Sequence, residues 1–343
     1  MRRSLQFMGF LIARGFALFF FILSIIVLAF AARAGQRVYL APKFVPGETL
    51  GYRVEMRMTT TGNTTTPIAN PEGASKLSQT IRLFVRLKVL DPPPGAQSSG
   101  GQVRFRATYE KSQAKSESDA LNPDQPSLAS LYARLEGQSI EFTMEPNGQL
   151  TGLKGLEDIF PDRSVSDPIL SWVPEISAGS RFPRDGLAIG QKWSEERPLE
   201  GLPLSRVIWR TESTYLRDER CGTSRAATGP GRPVETGGEI CAVILTDFHI
   251  SRRGSPQSND TPEDYLRNGL RTSGTWTGTG ESLDSFSLAS GLLQSSTQTS
   301  AQNMDYEIRS AGTGSSIHRV GKVQTQSEIA LAPPSDPSPG PGE

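Results

Sequence analysis

The sequence predicts a mainly β protein with a few short helices, built as two related antiparallel β-meander or half-barrel units able to join as one continuous curved sheet. Three observations predict it. Segment after segment alternates apolar and polar side chains with period two, the pattern of a strand with one buried and one wet face. A glycine-turn hairpin occurs twice: Phe142 and Met144 precede Gly148 and Leu150, and Phe286 and Leu288 precede Gly291 and Leu293. Glycine takes the positive φ of a tight turn without strain, so each copy reads as two strands folded back on each other. Composition agrees, because 34 Gly and 25 Pro against a hydrophobic fraction of 36% suit many short strands joined by turns.

The chain opens with a leader. Arg2, Arg3 and Arg14 come before an apolar run from Phe16 to Ala32, and Ala32-Arg33-Ala34 sets small residues where a signal peptidase reads. Residues 1–34 are therefore expected to be a signal peptide cut after Ala34. The run also approaches the roughly 17 to 25 apolar residues that span a bilayer, so the alternative is an inner-membrane anchor formed by residues 16–32. Either way the rest of the chain is exported, to the periplasm or beyond, and any membrane contact comes only through an uncleaved leader. No cysteine precedes Cys221, which excludes a lipid attached near the leader.

An N-terminal β unit is expected over residues 35–185. Leu50, Tyr52, Val54, Met56 and Met58 alternate with polar residues in the clearest strand, and the threonine-rich stretch 59–66 reads as a loop or a ragged hairpin end. Strands follow at 76–90, ended by Asp91-Pro92-Pro93-Pro94-Gly95, and at 103–109. Leu128, Leu131, Tyr132 and Leu135 stand at i, i+3, i+4 and i+7, which predicts a helix over 126–136 with Gly137 at its C-terminal cap. Its stripe either plugs one end of the core or closes over a ligand. After the first glycine hairpin, Ile169, Leu170, Trp172, Val173 and Ile176 form an apolar patch, read as a short helix between the two units or as a pocket lining.

The second unit is expected over residues 186–331, opening at Ile189-Gly190-Gln191-Lys192-Trp193. Strands are read at 204–216 and 240–250, then a short helix at 262–270 capped by Thr261 with Asp264 three residues on. A Ser, Thr and Gly-rich strand pair at 274–288 contains Trp276. A strand at 292–308 is too polar to be buried on both faces, and 320–331 closes the sheet. Residues 332–343 are a proline-rich tail with nothing to bury, expected to be disordered. Cys221 and Cys241 are the only cysteines, and in an exported chain they read as a disulfide worth roughly 3 kcal/mol.

Chemistry is mostly excluded. Lys+Arg and Asp+Glu both number 36, which gives no argument for a nucleic-acid partner. His249 and His318 fall on separate strands without metal-ligand spacing, no G-x-S-x-G elbow is present, and Gly274 to Gly280 lacks the ending of a phosphate loop. Glu157, Asp158, Glu195, Glu196, Glu281 and Asp284 could pair as glycosidase carboxylates, yet spacing alone does not bring any two together. No catalytic, cofactor-binding or metal residue is identified, and a noncatalytic protein without cofactor is expected.

The leader, Phe-x-Pro-Gly-Glu-x-Leu-x-Tyr-x-Val at 44–54, Met-x-x-Asn-Gly-x-Leu at 144–150 and Ile-Gly-Gln-Lys-Trp at 189–193 together resemble exported bacterial β-rich proteins classed as a domain of unknown function. The resemblance spans most of residues 44–331 and implies a fold and an envelope location but no activity. The leading functional reading is an envelope protein that binds a lipid or other apolar ligand, or an envelope partner, in the hollow of a curved sheet. Leu128, Leu131, Tyr132, Leu135, Ile169, Trp172 and Ile176 would form the apolar face. The alternatives are a scaffold whose cores are filled and an enzyme of unrecognised type.

Overall fold

The computed structural model describes residues 37–65, 75–91, 101–118, 128–146, 148–156, 159–160, 169–170, 172–176, 182–183, 185–199, 201–221, 239–253 and 261–332. The leader, the tail beyond Ala332, Asn147, Glu157, Asp158 and the Gly222–Gly238 loop lie outside these residues. The described chain forms β1 (Thr49–Thr65), β2 (Ser75–Val89), β3 (Val103–Ser118), α1 (Leu128–Ala133), β4 (Ser139–Met144) and β5 (Leu150–Lys154). It continues with a 3-10 turn (Val173–Ile176), β6 (Lys192–Pro198), β7 (Val207–Arg220), β8 (Ile240–Arg252), α2 (Glu263–Arg267), β9 (Leu270–Ser287), β10 (Leu293–Ser310) and β11 (Ser316–Ala332).

All eleven strands share one antiparallel sheet, in the order β5-β4-β3-β2-β1-β11-β10-β9-β8-β7-β6, and the sheet is not closed into a barrel. The chain meanders outward from β1 to β5, crosses to the opposite edge, and meanders back from β6 to β11. The two expected units are therefore two halves of one sheet, and the boundary expected after residue 185 falls between β5 and β6. The last strand does not close an edge. It lies at the centre, pairing with β1 from Gly51↔Ala332 to Thr65↔His318.

Both glycine hairpins form. Gly148 (φ 81°) turns β4 into β5, and Gly291 (φ 68°) turns β9 into β10. Several strands run longer than their apolar alternation. Thr59 to Thr65 belongs to β1 because threonine suits a pleated backbone and both flanks are paired, with Thr61 opposite Lys76 and Lys322. Residues 274–288 are not a strand pair but the end of β9, an 18-residue strand whose glycines and threonines mimic turn chemistry. Helix α1 is shorter than expected, at six residues. Thr261 does not cap α2: its hydroxyl accepts from the Thr272 N–H (2.8 Å) and donates to the Thr272 carbonyl, fastening the loop to β9.

One face of the sheet, here the inner face, carries Tyr52, Val54, Leu83, Val85, Leu87, Phe105, Ala107, Tyr109, Ile244, Phe286 and Ile329 at one end of the strands. The segments flanking β1 and β6 cross this near end. A Val38–Leu187 bridge ties them together, and the Lys43 N–H donates to the Ser290 carbonyl (2.8 Å). Cys221 and Cys241 are bonded, Cα atoms 5.0 Å apart, where β7 gives way to β8. No helix of the described residues is long and apolar enough to cross a membrane.

Candidate functional site

The structure brings the seven residues of the expected apolar face together, and it uses them as core. Tyr132, Leu135, Ile169, Trp172 and Ile176 are at most 2% exposed, with Leu128 and Leu131 packed against them. Protein atoms take up their surfaces: the Trp172 ring lies 5.8 Å from that of Tyr52, and Trp172 Nε1 donates to the Ile169 carbonyl (2.8 Å). Tyr109 donates to the same carbonyl (3.3 Å). Burial pushes the Tyr132 phenol up to about 12 and holds Tyr52 and Tyr109 higher still. These side chains plug the near end of the sheet.

Further along the strands the inner face turns polar. Ser213, Thr246, Ser282, Asp284 and Ser296 come from β7, β8, β9 and β10, and each is more than nine-tenths buried. Asp284 accepts hydrogen bonds from Ser296 (2.6 Å) and Ser282 (3.2 Å), and the Ser213 and Thr246 hydroxyls meet at 2.9 Å. A buried carboxyl without such donors would cost several kcal/mol, and the Ser282 hydroxyl on the same strand and the Ser296 hydroxyl on the next both offset that cost. Sequence reading had noticed Asp284 only as an acid. Its position on the buried phase of β9, between Ser282 and Phe286, is the signal that marks it as a partnered inner residue.

Beyond this belt the two halves of the inner face differ. On β7–β10 a second cluster fills the far end, made of Val207, Trp209, Ile250, Trp276, Met304 and Tyr306 under Leu199, Leu202 and Leu204. Trp209 stacks on Phe248 at 4.2 Å, with the Arg197 guanidinium 5.4 Å from the Trp209 ring. Phe248 can lie flat because its partner across the ladder is Gly280, where a Cβ would overlap the ring. On β1, β2 and β11 Met56, Met58, Leu77, Ile81 and Val323 face inward and stay half-buried, interleaved with Thr60, Gln79, Thr325 and Ser327.

Among the described residues the candidate acids do not assemble a catalytic pair, Glu157 and Asp158 lying outside them. Asp284 is inside and Glu281 outside on the same strand, and neighbouring Glu195 and Glu196 point to opposite faces of β6. On the outer face Glu212, Asp247 and Glu281 stand abreast on β7, β8 and β9, beside His249, in an open groove of about 540 Å³ that also touches Thr279, Thr299 and Gln324. Among the described residues no group of three or more His, Cys, Asp or Glu is placed to hold a metal ion. His318 bonds Asp305 (2.8 Å) across the β10–β11 hairpin, far from His249.

No family model matches the sequence, and no curated protein matches it either.

Proposed function

We propose that this is an exported, noncatalytic envelope protein that holds an apolar or amphipathic ligand, such as a lipid, on the open far half of its inner face. The observation that carries this reading is the group Met56, Met58, Leu77, Ile81 and Val323, apolar yet only half-buried on the inner face of the sheet. Methionine is adaptable and recurs at surfaces that accept varied apolar partners. Of the four methionines beyond the leader, Met56 and Met58 are on this open half, while Met304 packs into the far-end cluster and Met144 into the near-end core. The leader at 1–34, the Cys221–Cys241 bond and the resemblance to exported bacterial β-rich proteins support export.

The experiment is native mass spectrometry of the protein purified gently from a bacterial envelope, with solvent extraction of whatever accompanies it, beside the variant Met58→Arg. A stoichiometric apolar molecule that is lost in Met58→Arg supports the reading. A clean protein mass with nothing extracted removes it. The second reading, a scaffold with filled cores, is favoured by one observation: the α1 stripe and the 169–176 patch are packed. It predicts the clean mass and a captured protein partner.

A further inference from the structure

The strongest unassigned feature lies at the margin of the sheet. Strand β3 runs from Val103 to Ser118, but β4 accompanies it only from Val103 to Thr108. The Gly137 N–H then donates to the Tyr109 carbonyl (2.7 Å), Tyr109 donates back to the Gln138 carbonyl (3.0 Å), and the Ser112 N–H reaches Glu136 Oε2 (3.4 Å). From Gln113 to Glu117 the strand pairs with β2 on one side and with no described strand on the other. Backbone groups in a strand alternate sides, and Ser112 sets the phase, so Ala114 and Ser116 turn their N–H and C=O toward this open edge.

Sheet proteins usually blunt such an edge, because an unpaired ladder is a template for another strand. The two outermost strands are blunted here. β5 has only five residues, and β6 carries Glu195, Glu196 and Arg197 and ends in Pro198. The open part of β3 has no proline, glycine or inward charge: its inward residues are Ala114 and Ser116. Its one deterrent, Lys115, is neutralised on the same face by Glu117 at 2.6 Å, both side chains being largely in water.

We propose that this edge pairs antiparallel with the same edge of a second copy, across a two-fold axis at Ser116. In that register the two Ser116 residues exchange both backbone hydrogen bonds. Lys115 of each copy then faces Glu117 of the other as a non-hydrogen-bonded pair, where side chains approach closest. Sliding by two residues sets Lys115 against Lys115 instead, so charge selects the register. The inward side chains beside the axis, Ala114 and Ser116, are small. The assembly joins two sheets edge to edge and places two inner faces side by side.

The test is analytical ultracentrifugation of the purified protein over a concentration series, with the variants K115E and E117K. Each reversal turns two attractions into two repulsions and should weaken dimerisation by about tenfold or more. An equimolar mixture of the two variants restores both contacts and should recover the wild-type dimer, which a misfolded variant cannot do. Ser116→Pro, which removes an edge-facing N–H and leaves the β2 ladder intact, should give a monomer. A wild-type protein that stays monomeric at every concentration overturns the proposal. So does a dimer indifferent to all three substitutions, or one weakened by the reversals and not recovered on mixing.

Discussion

The near and far ends of the inner face are made of the same strands with the same alternation, and only one end is uniformly core. At the near end Tyr52, Val85, Leu87, Phe105 and Tyr109 are essentially without solvent contact, because residues 37–48 and the described residues of 169–193 pack against this face. At the far end the β7–β10 side has its own short cover of Leu199, Leu202 and Leu204, while inward residues of β1 and β2 such as Met58 and Leu77 remain only half-buried. Alternation fixes which side a residue faces, but burial is decided by what passes over that side. The strands themselves carry the difference in advance: large rings where a cover arrives, and threonine, glutamine and methionine where none does.

Substitution can break this contrast. Trp172→Ala, at the centre of the near-end plug, should cost about 3–5 kcal/mol in denaturant unfolding, as ring removal from a filled core does. A loss below about 1 kcal/mol would mean the plug is loose and the near end resembles the far one. Gly280→Ala, which drives a methyl into the Phe248 ring, should cost about 1–3 kcal/mol and disturb the Trp209 stack, read as a shift in tryptophan fluorescence. Met58→Ala should cost less than about 1 kcal/mol, since its side chain already meets water. A cost like that of Trp172→Ala would show the far half to be core.

The smallest effect is one of acidity. Burial works to raise Glu55, but hydrogen bonds from Arg57 and Arg82 hold its carboxyl below the usual range, and Arg106 does the same for Glu141. Carboxyls depressed in the folded state add stability that is present above their unfolded value, about 4.3, and is lost as pH falls further. The melting temperature should therefore drop below pH 4, and Glu141→Gln should flatten that drop slightly.

Much of this was legible from residues alone. The phases of β1, β2 and the first part of β3 could be read from alternation, and both glycine turns and the Cys221–Cys241 bond from residue type and spacing. What escaped were features set by distant partners. Thr59 to Thr65 gained strand geometry from β11, some 260 residues away in sequence, and β9 hid its length behind glycines, of which Gly280 admits the Phe248 ring. The apolar stripe of α1 announced burial correctly but not whether protein or ligand would do the burying. The serine shell of Asp284 spans two strands, so no local window contained it.

The seam between β1 and β11 gives the molecule an order of assembly. Fifteen register pairs join the first strand to the last at the middle of the sheet, so the centre cannot exist until the end of the chain has arrived. Each meander can gather its own neighbours early, but until then β1 waits with one side unmade and β10 with another. Closing so long a loop is slow, because its entropy is lost before the pairing repays it. A chain cut short of β11 would thus be left as two open half-sheets.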